Sequence, residues 1–291
     1  MHTTLRSKGG EVIIGSDRPF VMIGEKINPT GSKKLAAALQ AGDLEIVRRL
    51  AERQVAWGAE VLDLNVGVPG LDEIDMIGKV VRLVSETVDV PLCIDSGKSD
   101  ILAAGLQACP GKPLVNSVNA EDKQLDAILP VVKDRQAAVI GLTIDGGGIP
   151  KTPEGRVAAA GKIMQRAAKL GIPQEDIVID PLVLTVGSDS KAALVTLKSI
   201  ELIRQEFGVN INLGASNVSF GLPDRLTVNQ AFLSMAIEAG ATCSITDPIR
   251  LGATIRASDL LLGRDDFGMR YIKYFRSVEA LREEESGPTT R

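Results

Sequence analysis

Residues 91–119, PLCIDSGKSDILAAGLQACPGKPLVNSVN, limit the fold more than any other stretch. A short apolar run ends at Asp95, a helical segment follows from Ile101 to Cys109, Pro110-Gly111 stops it, and a second apolar run ends at Asn116. Two strands separated by a helix pair in parallel, because a parallel pair needs a long crossover where an antiparallel pair can use a two-residue turn. Both strands are apolar along their length and deliver a polar side chain at the carboxyl end. In parallel α/β folds that is the end where ligands bind.

The unit recurs along the chain. Further strands are predicted over 20–24, 61–67, 137–145, 176–183, 211–219 and 243–248, which with the two above makes eight. Helical periodicity fills the intervals at 43–57, 74–88, 101–109, 121–133, 154–170, 190–206, 227–239 and 252–262. Eight strand–helix units in roughly 250 residues predict an α/β fold of the (β/α)8 TIM-barrel type. A doubly wound open sheet of five or six strands would leave units over. No Pro-, Gly- or Ser-rich linker divides the chain, so one barrel domain is expected over 21–276. Before it lies a short N-terminal hairpin extension (1–20), with strands on either side of Gly15-Ser16-Asp17 and a mobile start carrying His2. An extra helix over 265–281 and a C-terminal tail (277–291) follow, the last ten residues, REEESGPTTR, reading as disordered.

Composition removes whole classes of chemistry. The sequence holds one histidine, His2, which argues against a histidine base, a His-containing triad or a His-ligated metal. A net charge of −4 and 3% aromatic residues argue against nucleic acid as a partner, since backbone binding wants a basic stripe and base stacking wants rings. No apolar run approaches a membrane span and the N-terminus lacks the apolar core of a signal peptide, so a cytoplasmic protein is expected. Three cysteines in a chain this long fit free thiols in a reducing compartment.

The strand ends collect Glu25, Asn28, Asp63, Asn65, Asp95, Asn116, Asp145, Asp180, Asn217 and Asp247. Any one of these alone is a common helix cap or turn former. As a set supplied by nearly every strand, they would converge on one face of a barrel. Carboxylates suit hard cations, but the mixture with amides does not resemble a Mg²⁺ site, and Cys109 at a helix end lies on the opposite rim from the other thiols. No metal centre is expected. A carboxylate accepts two N–H donors and an amide serves a donor–acceptor pair, which together suit a flat heterocycle with an amidine-like edge, such as a pterin. Lys98 is a weaker candidate, for a Schiff base. Gly146-Gly147-Gly148 lacks phosphate-loop spacing and reads as a loop. Trp57 reads as packing.

The motifs GEKIN (24–28), LDLNVG (62–67), CIDS (93–96), VNSVNAE (115–121), IGLT (140–143), IDPL (179–182) and SNVSFGLP (216–223) follow one another in a familiar order. They resemble the methyltetrahydrofolate:corrinoid protein methyltransferases, pterin-binding barrels of the dihydropteroate-synthase-like group, over about 20–276. The synthase branch would show N-x-T-P-D-S-F on the first strand and Ser-x-Arg near the last, where this chain has INPTGS and CSITDP. The resemblance implies transfer of a methyl group between N5 of tetrahydrofolate and the cobalt of a corrinoid, in a direction it does not fix. It implies that Asp95, Asn116 and Asp180 hold the pterin and that Asn217, beside N5, is the catalytic residue. By the same resemblance Asp63 and Asn65 line and support the pocket, Glu25 and Asn28 stand on the adjacent strand, and Arg225 contacts from the loop after SNVSFGLP. No D-x-H-x-x-G corrinoid-carrier motif occurs in the chain, so the corrinoid is expected on a separate protein, and a homodimer is expected. The alternatives are a dihydropteroate-synthase-like condensing enzyme and a non-catalytic folate-binding subunit.

Overall fold

The computed structural model describes residues 1–286. Eight strands form one parallel sheet: β3 (Val21–Ile27), β4 (Val61–Leu64), β5 (Leu92–Asp95), β6 (Leu114–Asn119), β7 (Ala138–Leu142), β8 (Ile177–Asp180), β9 (Asn210–Ile211) and β10 (Cys243–Thr246). They pair in the order β10-β3-β4-β5-β6-β7-β8-β9, so the sheet curls back on itself. At the seam between β9 and β10 the regular ladder gives way to separate bonds: Thr242 N–H donates to Ile211 O (3.0 Å) and Ile245 N–H to Leu213 O (3.0 Å). The barrel is thereby nearly closed, as expected from eight alternations.

Strand side chains alternate between two cores, as a period of two requires. Val21, Ile23, Val61, Cys93, Leu114, Ala138, Ile140, Val178 and Cys243 fill the barrel interior. Their neighbours Met22, Leu62, Leu64, Ile94, Val115, Val139 and Ile179 face outward into the core shared with the helices. Counting two residues on from the inward set reaches Glu25, Asp63, Asp95, Asn116 and Asp180. The polar ring is thus the next layer of the same interior, stacked on an apolar plug.

The helices are α1 (Lys33–Ala41), α2 (Glu45–Ala56), α3 (Glu73–Thr87), α4 (Ser99–Ala108), α5 (Asp122–Asp134), α6 (Pro153–Lys169), α7 (Ala192–Phe207), α8 (Arg225–Ala239), α9 (Pro248–Leu261) and α10 (Met269–Ser286). Several starts carry their own signal. Thr152 caps α6 by accepting from Gly155 N–H, Asp247 caps α9 by accepting from Ile249 N–H, and both helices begin with proline, whose missing N–H costs nothing there. Among the described residues no helix is long and apolar enough to cross a membrane.

The structure departs from several expectations. The N-terminal strands are β1 (His2–Arg6) and β2 (Glu11–Gly15), so the hairpin turns at Ser7–Gly10, where Ser7 N–H bonds Gly10 O, and not at Gly15-Ser16-Asp17. His2 belongs to β1 and lies 2.6 Å from Asp17. Leu5 and Ile14 from this hairpin join the barrel's interior cluster, and Asn210 Nδ2 donates to Thr3 Oγ1 and Ile14 O. Hence the hairpin plugs the end of the barrel opposite the polar ring.

Helix α1 is an addition to the expected elements; only Leu35 and Leu39 on it are buried, so its apolar signal is short. The predicted strand 211–219 is regular only at Asn210–Ile211. Side chains replace the ladder there: Thr242 Oγ1 accepts from Ile211 N–H and Ser244 Oγ donates to Leu213 O, and Ala215–Ser219 then winds into a 3-10 turn. Finally, β6 runs on past Asn116 to Asn119 through an irregular register, and α10 reaches Ser286, beyond the expected end at 281. The last five residues of the expected tail, 287–291, lie outside the described residues.

Candidate functional site

At the carboxyl ends of the strands lies a cavity of about 780 Å³. Glu25 and Asn28 (from β3 and the loop after it), Asp63 (β4), Asp95 (β5), Asn116 (β6) and Asn217 (the 3-10 turn after β9) all line it. Six of the nine sequence-expected residues therefore share one space of the size that small-molecule sites occupy.

Its floor is built from carboxylate–amide pairs. Asn65 Nδ2 donates to Asp95 Oδ2 at 2.9 Å, with Asn28 Nδ2 farther from the same oxygen at 3.5 Å. Asn116 Nδ2 donates to Asp63 Oδ1 at 3.2 Å. Asn65 is thus a support for Asp95 rather than a wall of the cavity. Asp63 is buried, and burial together with the charge of Asp95 pushes its carboxyl up to about 8. Burial also raises Asp95, against the hydrogen bond from Asn65. Two carboxylates on adjacent strands under one low-dielectric roof do not both ionise readily, so the pair retains a proton near neutrality.

Asp180 stands apart. It is buried on β8, and burial raises it to about 6 against the bonds it accepts from Leu182 N–H (2.8 Å) and Asn212 Nδ2 (2.8 Å) and the charge of Arg156. Arg156, fully buried on α6, donates to Leu182 O and Thr196 Oγ1. Leu182 is held between them at φ 67°, a left-handed conformation that a branched side chain adopts only where its surroundings impose it. Asn212 and Arg156 lie outside the set the sequence singles out. Counting two on from the inward Asn210 would reach Asn212, whereas Arg156 sits on a helix and carries no such signal.

Arg225 borders a neighbouring pocket of about 200 Å³ with Glu25, Lys26 and Asp247. Its guanidinium donates to Ser219 Oγ and Ser216 O and lies 5.6 Å from the Phe220 ring centroid, so it braces the turn that carries Asn217. Lys26 is a further addition. It pairs with Asp247 at 2.8 Å and Glu25 at 3.3 Å; burial opposes its charge, but these partners outweigh burial and raise it. Gly24 matters two residues earlier in the same motif. A Cβ there would come within 2.6 Å of Gln54 Oε1, which accepts from Lys26 N–H at 2.8 Å, so glycine lets α2 approach β3.

Other candidates have local work. Asp145 accepts from Gly147 N–H in the 146–148 loop, and Asp247 caps α9. Lys98 points to Glu73 at 2.8 Å on the exterior. Cys93 and Cys243 are buried in the barrel, while Cys109 caps α4.

The family model described as pterin binding enzyme matches residues 24–247. Over 266 residues the chain is 34% identical to a methylcorrinoid:tetrahydrofolate methyltransferase of Eubacterium limosum, covering 88% of this chain and 96% of that one. It is 32% identical over 243 residues to the methionine synthase of Mycobacterium tuberculosis, covering 79% of this chain but 20% of that protein. Among solved structures, 7,8-dihydropteroate synthase from Vibrio fischeri superposes with a TM-score of 0.71 at 20% identity, covering 90% of this chain and 98% of that one. Dihydropteroate synthase from Xanthomonas albilineans in complex with 7,8-dihydropteroate gives 0.64 at 21%, covering 89% and 98%. At such identities the two synthases speak for the fold alone.

Proposed function

The chain belongs to the pterin-binding enzyme family, and from that premise we propose that it moves a methyl group between N5 of tetrahydrofolate and the cobalt of a corrinoid held by a separate protein. One observation carries the reading: the cavity floor pairs Asp95 with Asn65 and Asp63 with Asn116 while Asn217 lines the same space. Carboxylates there accept the N–H donors of a pterin's amidine edge, and Asn116 offers the complementary donor and acceptor. What favours methyl transfer over dihydropteroate synthesis is likeness along 88% of the chain to the methyltransferase, against 18–21% identity to the synthases.

We assign the roles in keeping with this arrangement. Asp95, Asn116 and Asp180 hold the pterin. Asp180 already accepts bonds from Leu182 N–H and Asn212 Nδ2 and is also held down by Gly214 N–H, which leaves a carboxylate of about four lone-pair sites room for about one more. Asp63, Asn65, Glu25 and Asn28 orient these groups, and Arg225 positions the turn of Asn217. In one direction the N5 lone pair of tetrahydrofolate attacks the methyl of methyl–Co(III). The N5–C bond forms, the Co–C bond breaks with its electron pair left on cobalt as Co(I), and the N5 proton passes to solvent water. In reverse, Co(I) attacks the methyl, and N5 leaves as a neutral amine only if it gains a proton or a strong hydrogen bond. Asn217 can donate or accept at N5 without itself ionising, so one residue serves both directions. We place the enzyme in a reducing cytoplasm, in keeping with its three free thiols. We also read it as a homodimer. Leu261 (86% exposed) on α9, Phe267 (97%) in the following turn and Met269 (65%) on α10 offer an apolar face for a second copy.

Steady-state kinetics of single variants tests the division of labour. Asn217→Ala is expected to lower kcat about 100-fold with little change in KM for the folate. Asp95→Ala and Asp180→Ala are expected to raise KM chiefly. If all three lose only binding, Asn217 is not the catalytic residue. Condensing activity with p-aminobenzoate, or folate binding with no methyl transfer to any corrinoid, would favour the alternatives.

A further inference from the structure

A second cavity, of about 410 Å³, lies at the end of the barrel that the hairpin plugs, away from the polar ring. Arg6 of β1, Lys112 just before β6, and Lys133 and Arg135 at the end of α5 all line it. Among the described residues, Asp176 is the one acid on its wall. Asp176 is buried, and Lys112 spends its charge on it. The other cations keep theirs. Lys133 Nζ donates to a neutral carbonyl, Gly171 O. Arg6 pairs with Glu11 at 3.0 Å and Arg135 with Asp134 at 3.5 Å, but both acids are exposed and neither lines the cavity. Exposed pairs of this kind are weak, and a ligand's anion can displace them. A cation at a helix C-terminus complements the macrodipole, which accounts for Lys133 and Arg135. It does not account for Arg6 and Lys112, which reach the same space from two other segments.

We propose that this cavity binds a small phosphate-type polyanion, either a free inorganic anion or the phosphate end of a phosphorylated metabolite. Its volume falls in the range of small-molecule sites. Ala137 and Ile172 on its wall are buried and offer little apolar surface, so a compact charged ligand fits better than an extended apolar one. Arg6 and Arg135 supply forks that can each take two phosphate oxygens, while Lys133 adds a point charge. The backbone that carries these groups is pinned. Arg6 N–H donates to Lys112 O at 2.9 Å and Lys112 N–H to Arg6 O at 3.0 Å. Gln136, at φ 51°, closes α5 through its N–H to Lys133 O at 3.2 Å. The carboxyl ends of α5 and α6 oppose an anion, but each amounts to about half a charge, against three cations that no lining acid offsets. None of these residues lines the cavity at the other end, so the proposal stands apart from the tetrahydrofolate reading.

The test is calorimetric binding at low salt of inorganic phosphate, pyrophosphate and ribose 5-phosphate. Saturable binding is expected, and it should weaken as salt rises. Tightest binding of ribose 5-phosphate would identify a phosphorylated metabolite as the occupant, and tightest binding of phosphate or pyrophosphate a free anion. In Arg6→Gln/Arg135→Gln the affinity for the tightest of the three should fall about tenfold or more with the thermal midpoint unchanged, which separates a lost contact from a damaged fold. Arg6→Lys/Arg135→Lys should restore part of it, since charge returns without the fork. Lys34→Gln/Arg49→Gln, at the cavity on the other end, should leave the affinity as it was. No binding of any of the three anions to the unaltered protein would overturn the proposal, as would an affinity that survives Arg6→Gln/Arg135→Gln. Equal losses in the two glutamine pairs would also overturn it, by showing attraction to the overall charge and not to this cavity.

Discussion

Replacing Asp63 with asparagine probes the shared proton in the cavity floor. Asp63 is buried beside Asp95, and burial plus that charge lift its carboxyl from the ordinary carboxylate range to about 8. In the folded protein it therefore keeps a proton that the unfolded chain has already lost. The sign follows directly: this contribution to stability is fully present below the ordinary carboxylate range and is lost as pH rises toward about 8. Between pH 6 and pH 7.5 the unfolded carboxylate is fully ionised and the folded one mostly protonated. One proton at about 1.4 kcal/mol per pH unit then gives a loss of about 2 kcal/mol. The amide introduced by Asp63→Asn would keep the bond from Asn116 Nδ2 through its own oxygen but could not titrate. Urea unfolding of both proteins at pH 6 and 7.5 measures the difference. The unaltered protein should lose about 2 kcal/mol more than Asp63→Asn over that interval. Parallel pH profiles would refute the claim that the floor holds a proton.

Gly111→Ala should loosen the plug at the far end of the barrel. Gly111 has φ 76°, and a Cβ there would meet Arg6 O at 2.3 Å, beside the two bonds that tie Arg6 to Lys112. A cost of about 2–4 kcal/mol in chemical denaturation is expected, with no change in pterin affinity; a neutral effect would contradict the hairpin's role as a plug. Thiol chemistry gives a third check. Burial pushes Cys109 up to about 12 and raises the fully buried Cys93 and Cys243 as well, so all three should be silent to a thiol reagent at neutral pH until the protein is unfolded. Fast modification of any one in the native state would count against this packing. Arg225→Ala should lower turnover through the turn it braces, an effect that Arg225→Lys, which lacks the fork, should reproduce in part. Kinetics unchanged from the parent would remove the positioning role.

Much of this architecture is written locally. Strand ends such as Asp63 and Asp95 can be read because inward positions recur every second residue, and Pro and Gly mark where each helix stops. What cannot be read is decided across strands. Asn65 looks like a wall residue in LDLNVG but turns under Asp95, since only the pairing of β4 with β5 brings the two together. The stretch 211–219 has strand composition, yet Thr242 and Ser244 from a distant segment take over its hydrogen bonds and free it to wind into the turn of Asn217. Lys98 gives no local hint of Glu73, 25 residues away on α3. The N-terminal turn is ambiguous in sequence because Gly15-Ser16-Asp17 and Ser7–Gly10 carry equal turn chemistry, and only packing of Leu5 and Ile14 into the barrel decides between them.

Methyl transfer between folate and cobalt can be followed by an anaerobic absorbance assay. Purified protein is mixed with methyltetrahydrofolate and free Co(I) cobalamin, and the conversion of Co(I) to methyl–Co(III) is followed. Protein-dependent methyl–Co(III) formation that nearly vanishes in Asn217→Ala is expected, together with the reverse loss of methyl–Co(III) when methylcobalamin meets tetrahydrofolate. No transfer in either direction, with free cobalamin and with corrinoid carrier proteins alike, while methyltetrahydrofolate still binds, would contradict it.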